Sequence, residues 1–360
     1  MAVQSWLDNK QLHVFEVEVA RGVFEMLEEV ANKILRLKVP MPFNMGYTNS
    51  YLVEGENGYT IVDTGDNTEE AKALWEKVLC KGMKIEKVVI THAHPDHLGL
   101  AGWFQLNYGL PIWLSVKGYE EILKSRKTFD EDYVNPMRSF AIRNGAIHYR
   151  DDEAEIEPYY KLDTYQFEPD HIFETGSLLK IGDGLFEAIW TPGHAIDHYC
   201  FYERESGTIF VGDHILRSMN PLVTSKHIND NPLQEYMMSL DKVASYKTGI
   251  ALPGHGKAIV SLPDRVAEMK VHYQKRWRQT FEAIGEEGKT AFDACQLVYK
   301  GYSNGKLLPA FMQTITNLIY LESIGQVKRV EHAGKYYYSQ VKSFQELYKD
   351  RTLQSGIRFK

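Results

Sequence analysis

The run Thr91-His92-Ala93-His94-Pro95-Asp96-His97 constrains this chain more than any other feature. Three imidazoles and one carboxylate follow directly on the apolar stretch Lys87-Val88-Val89-Ile90. That stretch reads as a short buried strand opening into a loop. On such a loop His92 and His94 face one side, as alternate residues do, while Asp96 and His97 turn toward a neighbouring position. Neutral imidazole and carboxylate are ligands suited to zinc, iron or manganese. The competing reading is a polar loop of unrelated histidines, but so dense a group is costly to hold without a partner.

Four further segments share one design, a polar residue at a strand end beside glycine. His194 lies in Trp190-Thr191-Pro192-Gly193-His194, and His255 in Pro253-Gly254-His255-Gly256. Asp213 ends Phe210-Val211-Gly212-Asp213, and Asp63 lies in Ile61-Val62-Asp63-Thr64-Gly65. Glycine lets backbone crowd close to a site. Each segment alone is more simply a turn, whereas five in one chain point to a shared centre.

The series Asp63, His92-x-His94-x-Asp96-His97, His194, Asp213, His255 resembles the five motifs of the metallo-β-lactamase superfamily, in order and in spacing. The resemblance covers roughly residues 34–260 and implies an α/β fold, a four-layer αββα sandwich with a binuclear metal site along one edge. Carried over position by position, it implies that His92, His94 and His194 bind one metal. Asp96, His97 and His255 would bind a second, and Asp213 would bridge both. Asp63 would orient ligands without binding metal. Two divalent ions are therefore expected, zinc first, with iron or manganese also suited. Such a pair shares a water and lowers its pKa toward neutrality, so that a bridging hydroxide attacks a carbonyl carbon or a phosphorus. Asp96 and Asp213 would offset the cationic charge.

The ligand set narrows the branch. The commonest true β-lactamases place a cysteine near the fourth motif, where this chain has Asp213, which sets antibiotic hydrolysis aside. Flavodiiron reductases carry a glutamate where this chain has His94. The pattern is most similar to glyoxalase-II-like hydrolases and to a β-lactamase-like branch that ends in a winged helix and includes an endoribonuclease. Val39-Pro40, Gly46-Tyr47-Thr48-Asn49-Ser50-Tyr51 and Asp197-His198 also resemble that branch. His198 is a candidate catalytic residue, an imidazole set behind the ligands or facing substrate that polarises a carbonyl or donates a proton; the alternative is a strand-start histidine bonded to backbone. His214 reads as structural, and His227 falls on a loop that could meet substrate.

Charge divides the chain. Residues 264–360 carry 16 Lys+Arg against 10 Asp+Glu, or +6, so a net charge of −7 leaves −13 on residues 1–263. This shift places a boundary near 261–265, with Ser261-Leu262-Pro263-Asp264-Arg265 as linker and Asp264 as a helix N-cap. The expected organisation is a catalytic domain over 1–262, a winged-helix-like α+β domain over 263–345 and a tail over 346–360. Helices over roughly 264–286, over 290–300 and through Phe311, Ile315, Leu318 and Ile319 would precede a hairpin turning at Ala333-Gly334. Residues 119–175, with 14 acidic and 7 basic residues, interrupt the catalytic domain as a largely helical insertion. It is either a solvated excursion or a wall of the substrate cleft.

The resulting expectation is a metal-dependent hydrolase of a small thioester, ester or lactone. Asp130, Glu131 and Asp132 would repel a phosphate backbone. The alternative is an endoribonuclease or phosphodiesterase using Lys328, Arg329 and Lys335 with Tyr336, Tyr337 and Tyr338 on single-stranded nucleic acid. A non-catalytic winged-helix module is a third reading, against which the intact ligand set argues. The C-terminal segment can also flank the sandwich or pair subunits as a homodimer. No apolar run reaches the 18 or so residues of a membrane helix. Three scattered cysteines and a polar N-terminus fit a reduced, cytoplasmic protein.

Overall fold

A computed structural model of the protein describes residues 26–42, 46–80, 82–129, 136–146, 162–301 and 304–341. Asp130, Glu131, Asp132 and the tail over 346–360 lie outside them.

Two sheets form the centre. The first has seven strands in sequential order: β1 (Leu27–Ala31), β2 (Ile34–Pro40), β3 (Tyr47–Gly55), β4 (Gly58–Val62), β5 (Ile85–Val89), β6 (Ile112–Ser115) and β7 (His171–Phe173). The second has five, β8 (Leu178–Ile181), β9 (Gly184–Trp190), β10 (Tyr199–Glu203), β11 (Thr208–Gly212) and β12 (Ile250–Pro253), ordered β12-β11-β10-β9-β8. Strands β4 to β7 run parallel, as do β11 and β12. The strand exits that carry the motifs therefore lie at one edge.

The pleat explains why these strands are apolar on both faces. Tyr51, Val53, Val62, Val89, Phe201, Phe210 and Leu252 point between the sheets. Their neighbours Leu52, Ile61 and Val88 point outward, under α1 (Glu69–Leu79), α2 (Pro95–Leu98), α3 (Ala101–Tyr108) and α4 (Val116–Lys127). On the second sheet Cys200, Tyr202, Ile209, Val211 and Ala251 point outward to a further helical layer. The result is the expected α/β/β/α stack.

Local signals set the helices. Thr68 caps α1 by accepting from the Ala71 N–H, and Glu69 and Glu70 face the positive end of the helix. α5 (Pro136–Arg143) lies within the acidic insertion, and α6 (Pro232–Ala244) starts from an Asn231 cap with Pro232 in its first turn.

The C-terminal segment contains α7 (Leu262–Ile284), α8 (Ala291–Val298), α9 (Asn304–Ser323) and the hairpin β13 (Val327–His332) and β14 (Lys335–Gln340). Val266, Met269, Tyr273, Trp277, Phe281 and Ile284 form the buried stripe of α7. Positive φ at Ala333 (48°) and Gly334 (73°) turns the hairpin, as a two-residue loop requires. Residues 261–265 are no linker: Ser261 is the N-cap, and Asp264 sits in the first turn rather than at the cap. Pro263 fits there because the first N–H groups of a helix have no internal partner.

The same buried cluster runs from the outer face of the second sheet through α6 into α7, α8, α9 and the hairpin. The insertion joins it. Phe140, Ala141 and Ala146 are part of that core, and Asn144 Oδ1 accepts from the buried Tyr338 hydroxyl at 2.8 Å. Residues 136–146 are therefore packed structure and not a solvated excursion.

Candidate metal centre

Each motif residue sits just beyond a strand: Asp63 after β4, the histidine run after β5, His194 after β9, Asp213 after β11 and His255 after β12. The carboxyl ends of parallel strands are where α/β sheets present ligand-binding groups. Asn49 and Tyr51 of the first sheet tie the two sheets together there. The Asn49 N–H donates to Gly254 O at 2.7 Å, and the Tyr51 hydroxyl to Pro253 O at 2.7 Å.

Two clusters result. His92 Nε2 and His194 Nε2 lie 3.0 and 2.9 Å from His94 Nδ1. His255 Nε2 lies 3.1 Å from Asp96 Oδ2 and 3.3 Å from Asp213 Oδ2, and His97 Nε2 lies 3.4 Å from Asp213 Oδ1. Within each cluster the ligand atoms fall within 4.8 Å of one another, close enough for one ion. Asp213 reaches both, since its Oδ2 is also 3.8 Å from His194 Nε2.

The other nitrogen of most of these rings is held, which fixes which atom faces the centre. His194 Nδ1 donates to Leu222 O at 2.9 Å, and His255 Nδ1 to Tyr47 O at 2.8 Å. His97 Nδ1 donates to Asp63 Oδ2 at 2.8 Å. Thr91 donates its N–H to Asp63 Oδ1 and its hydroxyl to Oδ2, both at 2.8 Å, and accepts from His92 Nδ1 at 3.0 Å. Asp63 thus supports one ring of each cluster. It does so from a left-handed backbone position, φ 58°, that aspartate tolerates better than most residues. Asp197 anchors the loop from below, its Oδ2 accepting from the Ala93 N–H at 2.7 Å.

The residues fit a bound cation. Among the described residues, His97 Nε2 and Asp213 Oδ1 are buried without a hydrogen-bond partner, a costly state for such groups. Burial, reinforced by neighbouring imidazoles, pushes His92 well down and His94 down to about 3. Against the cost of burial, Asp96, Asp213 and Asp63 hold His97 well above its ordinary value. Against the same cost, contacts to Asp213 and Asp96 raise His255 to about 10. Asp96 falls to about 2 despite its burial, drawn down by His97 and His255. His92 and His94 are therefore neutral imidazoles, whereas the other cluster is a network of charge pairs. No room is left at the backbone: a Cβ on Gly254 would lie 2.4 Å from Asp213 Oδ1 and 2.6 Å from His97 Cε1.

His198 lies beneath the centre. Its Nε2 accepts from the Asp213 N–H at 3.1 Å, so Nδ1 carries the proton and donates to Thr191 Oγ1 at 2.8 Å. The ring is fully buried and offers no nitrogen to a substrate. The ring is thus set behind Asp213 and bonded to its backbone, and it does not face a substrate. His214 is buried edge-on against Tyr236, and His227 is exposed.

Sequence reasoning missed the loop that holds His194. Leu222 acts through a backbone carbonyl, which leaves no residue signature. Its loop is fastened by the C-terminal helices. Arg265 donates to Leu216 O and Met219 O, both at 2.7 Å, and the Tyr273 hydroxyl donates to Pro221 O at 3.0 Å. The Ser225 N–H donates to Thr316 Oγ1 at 2.9 Å.

Comparison with known proteins identifies the family. A family model for the metallo-beta-lactamase superfamily matches residues 44–255, more than half of the chain. A probable metallo-hydrolase, YqjP of Bacillus subtilis, is 28% identical over 313 residues, covering 81% of this chain and 92% of that protein. An atrochrysone carboxyl ACP thioesterase of Aspergillus fumigatus is 26% identical over 258 residues, covering 69% of this chain and 64% of that protein. Among solved structures, a metallo-beta-lactamase family protein from Thermus thermophilus superposes with TM-score 0.71 at 26% identity, covering 86% of this chain and 98% of that one. A beta-lactamase domain protein from Burkholderia ambifaria gives TM-score 0.77 at 24% identity over 88% of this chain and 93% of that one, a likeness of fold.

Proposed function

The chain belongs to the metallo-beta-lactamase superfamily and is a metal-dependent hydrolase, and from that premise we propose a binuclear enzyme that cleaves a small thioester, ester or lactone. The observation that carries the proposal is the pair of adjoining clusters with Asp213 between them. His92, His94 and His194 would hold one divalent ion, and Asp96, His97 and His255 the other, with zinc as the first candidate. Bound there, the ions supply Lewis acidity and lower the pKa of water. The protein's own part is positioning. Asp63 keeps the proton on His97 Nδ1 and, through Thr91, on His92 Nδ1, so both Nε2 lone pairs face inward. His198 fixes the backbone of Asp213. Asp96 and Asp213 bring negative charge to the centre, and the partly open rims at His194 and His255 leave access for substrate.

The thioester option is supported by the name of the Aspergillus fumigatus relative. A phosphodiester could use the same ligands, and cleavage of RNA is the second reading. The hairpin favours it less. Tyr336 and Tyr338 are buried, and Arg329 pairs with Glu322 at 3.3 Å and stacks over Tyr336. We read residues 263–345 as a winged-helix-like unit with a supporting role. No helix among the described residues is long and apolar enough to cross a membrane. Cys80, Cys200 and Cys295 are unpaired, as suits the reducing cytoplasm.

The test is hydrolysis of panels of acyl thioesters, lactones and labelled single-stranded RNA by zinc- or manganese-loaded protein, with Asp213→Ala prepared alongside. Thioester or lactone cleavage that disappears in the mutant is expected. RNA cleavage that disappears instead would replace this reading with the nuclease.

A further inference from the structure

Behind the loop that holds His194 lies a cleft of about 400 Å³ between that loop, α7, the end of α8 and α9. That volume is in the range of small-molecule sites. Leu222 belongs to both places, since its carbonyl orients His194 and the residue also lines the cleft. Pro221, Pro309 and Ala310 add apolar surface, and Tyr273 and Tyr299 add rings.

One wall is cationic. Arg276 is half-buried, its guanidinium 5.0 Å over the Tyr299 ring, and it donates to Gln279 Oε1 at 3.1 Å. Among the described residues no carboxylate pairs with it. A guanidinium has five N–H donors in a planar fork, and the aromatic face below keeps that fork in place. His272 also lines this side. Burial, then the charges of Arg276, Lys275 and Arg265, pushes His272 down, so the local field is positive. The acids that flank Arg276 in sequence, Glu268 and Glu282, are engaged by Arg265 at 3.2 Å and by Arg278 at 2.9 Å.

We propose that this cleft binds an organic anion with an apolar body, its carboxylate or phosphate on the Arg276 guanidinium, and receives in that way the far end of the substrate. Apolar walls ending in an unpaired guanidinium match such a molecule, because a guanidinium grips either head group through two parallel hydrogen bonds. The substrate placement rests on the hydrolase reading above. The anion site does not.

The experiment has two arms on full-length, metal-loaded protein. In the first, calorimetry compares hexanoate, hexyl phosphate and hexanol on the wild type, Arg276→Gln and Arg276→Lys. One anion per chain is expected, bound at least about ten-fold more tightly than hexanol, the scale of one charge-assisted pair. Arg276→Gln should lose that advantage at unchanged metal content, and Arg276→Lys should keep part of it. The tighter of the two anions identifies the head group. Absence of anion binding, equal binding of hexanol, or unchanged binding in Arg276→Gln would overturn the site; the last outcome would put the anion on the metals. In the second arm, adipyl and hexanoyl thioesters are compared as substrates. Arg276→Gln should lower kcat/KM by at least about ten-fold for the adipyl ester alone; equal losses on both would remove the substrate role. Failure to cleave either, with Arg276-dependent hexanoate binding intact, would count against the thioester reading and in favour of the anion site.

Discussion

At the scale of single residues, the centre divides into groups that would hold metal and groups that aim them. Asp213→Ala and His94→Ala should each lose metal and most turnover. Asp63→Ala should lose less of both, because His97 and His92 keep their places on the loop although their tautomers are freed. Metal content by elemental analysis checks this, and two ions per chain in both ligand mutants would refute the assignment. The proton balance gives a second prediction. His92 and His94 are pushed down and are neutral near pH 7, whereas His97 is held well up and His255 up to about 10, so both carry protons there without metal. A ligand must shed its proton to bind. Filling the His92–His94–His194 cluster should therefore release no proton from its first two rings, and filling the other should release about two. Affinity at that second cluster should rise with pH toward about 10. Indicator-dye titration with zinc tests the sign; equal release in both phases would contradict it.

At the scale of elements, the legible parts were those with a dense local signature. The histidine run concentrates four polar side chains behind one apolar strand, and α1, α7 and the hairpin repeat apolar residues at clear periods. Other parts were hidden for physical reasons. α3 is short and leaves Leu106 85% exposed, so its apolar residues mark no single face. β1 and β2 form a hairpin ahead of the first motif, where nothing chemical draws attention. β7 is three residues long and takes its place only by pairing with β6. The loop from Leu216 to Ser225 works through carbonyls and is held by side chains about fifty to ninety residues away. Arg265→Ala should release it from Leu216 and Met219. The expected result is weaker metal binding at the cluster containing His194 and unchanged binding at the other. Chelator competition resolves the two, and parallel loss from both clusters would contradict the role given to the loop.

For the whole molecule, the C-terminal helices complete the outer layer of the second sheet. Deleting residues 264–360 should remove most of α7 and all of α8, α9 and the hairpin. It should also expose the outer faces of β9 to β12 and free the carbonyl that holds His194. The truncated chain should be insoluble or inactive even on small substrates; a soluble, fully active one would sink this view. The strand exits have a consequence for folding itself. A slip of one residue in any pairing turns alternate side chains to the opposite face of a sheet, and the seven clustered side chains leave from four different strands. Only a correctly paired chain can bring them together. The centre thus acts as a proofreader of sheet pairing, and divalent ions supplied during refolding should enrich the native register, by mass action, over misaligned forms that cannot hold them.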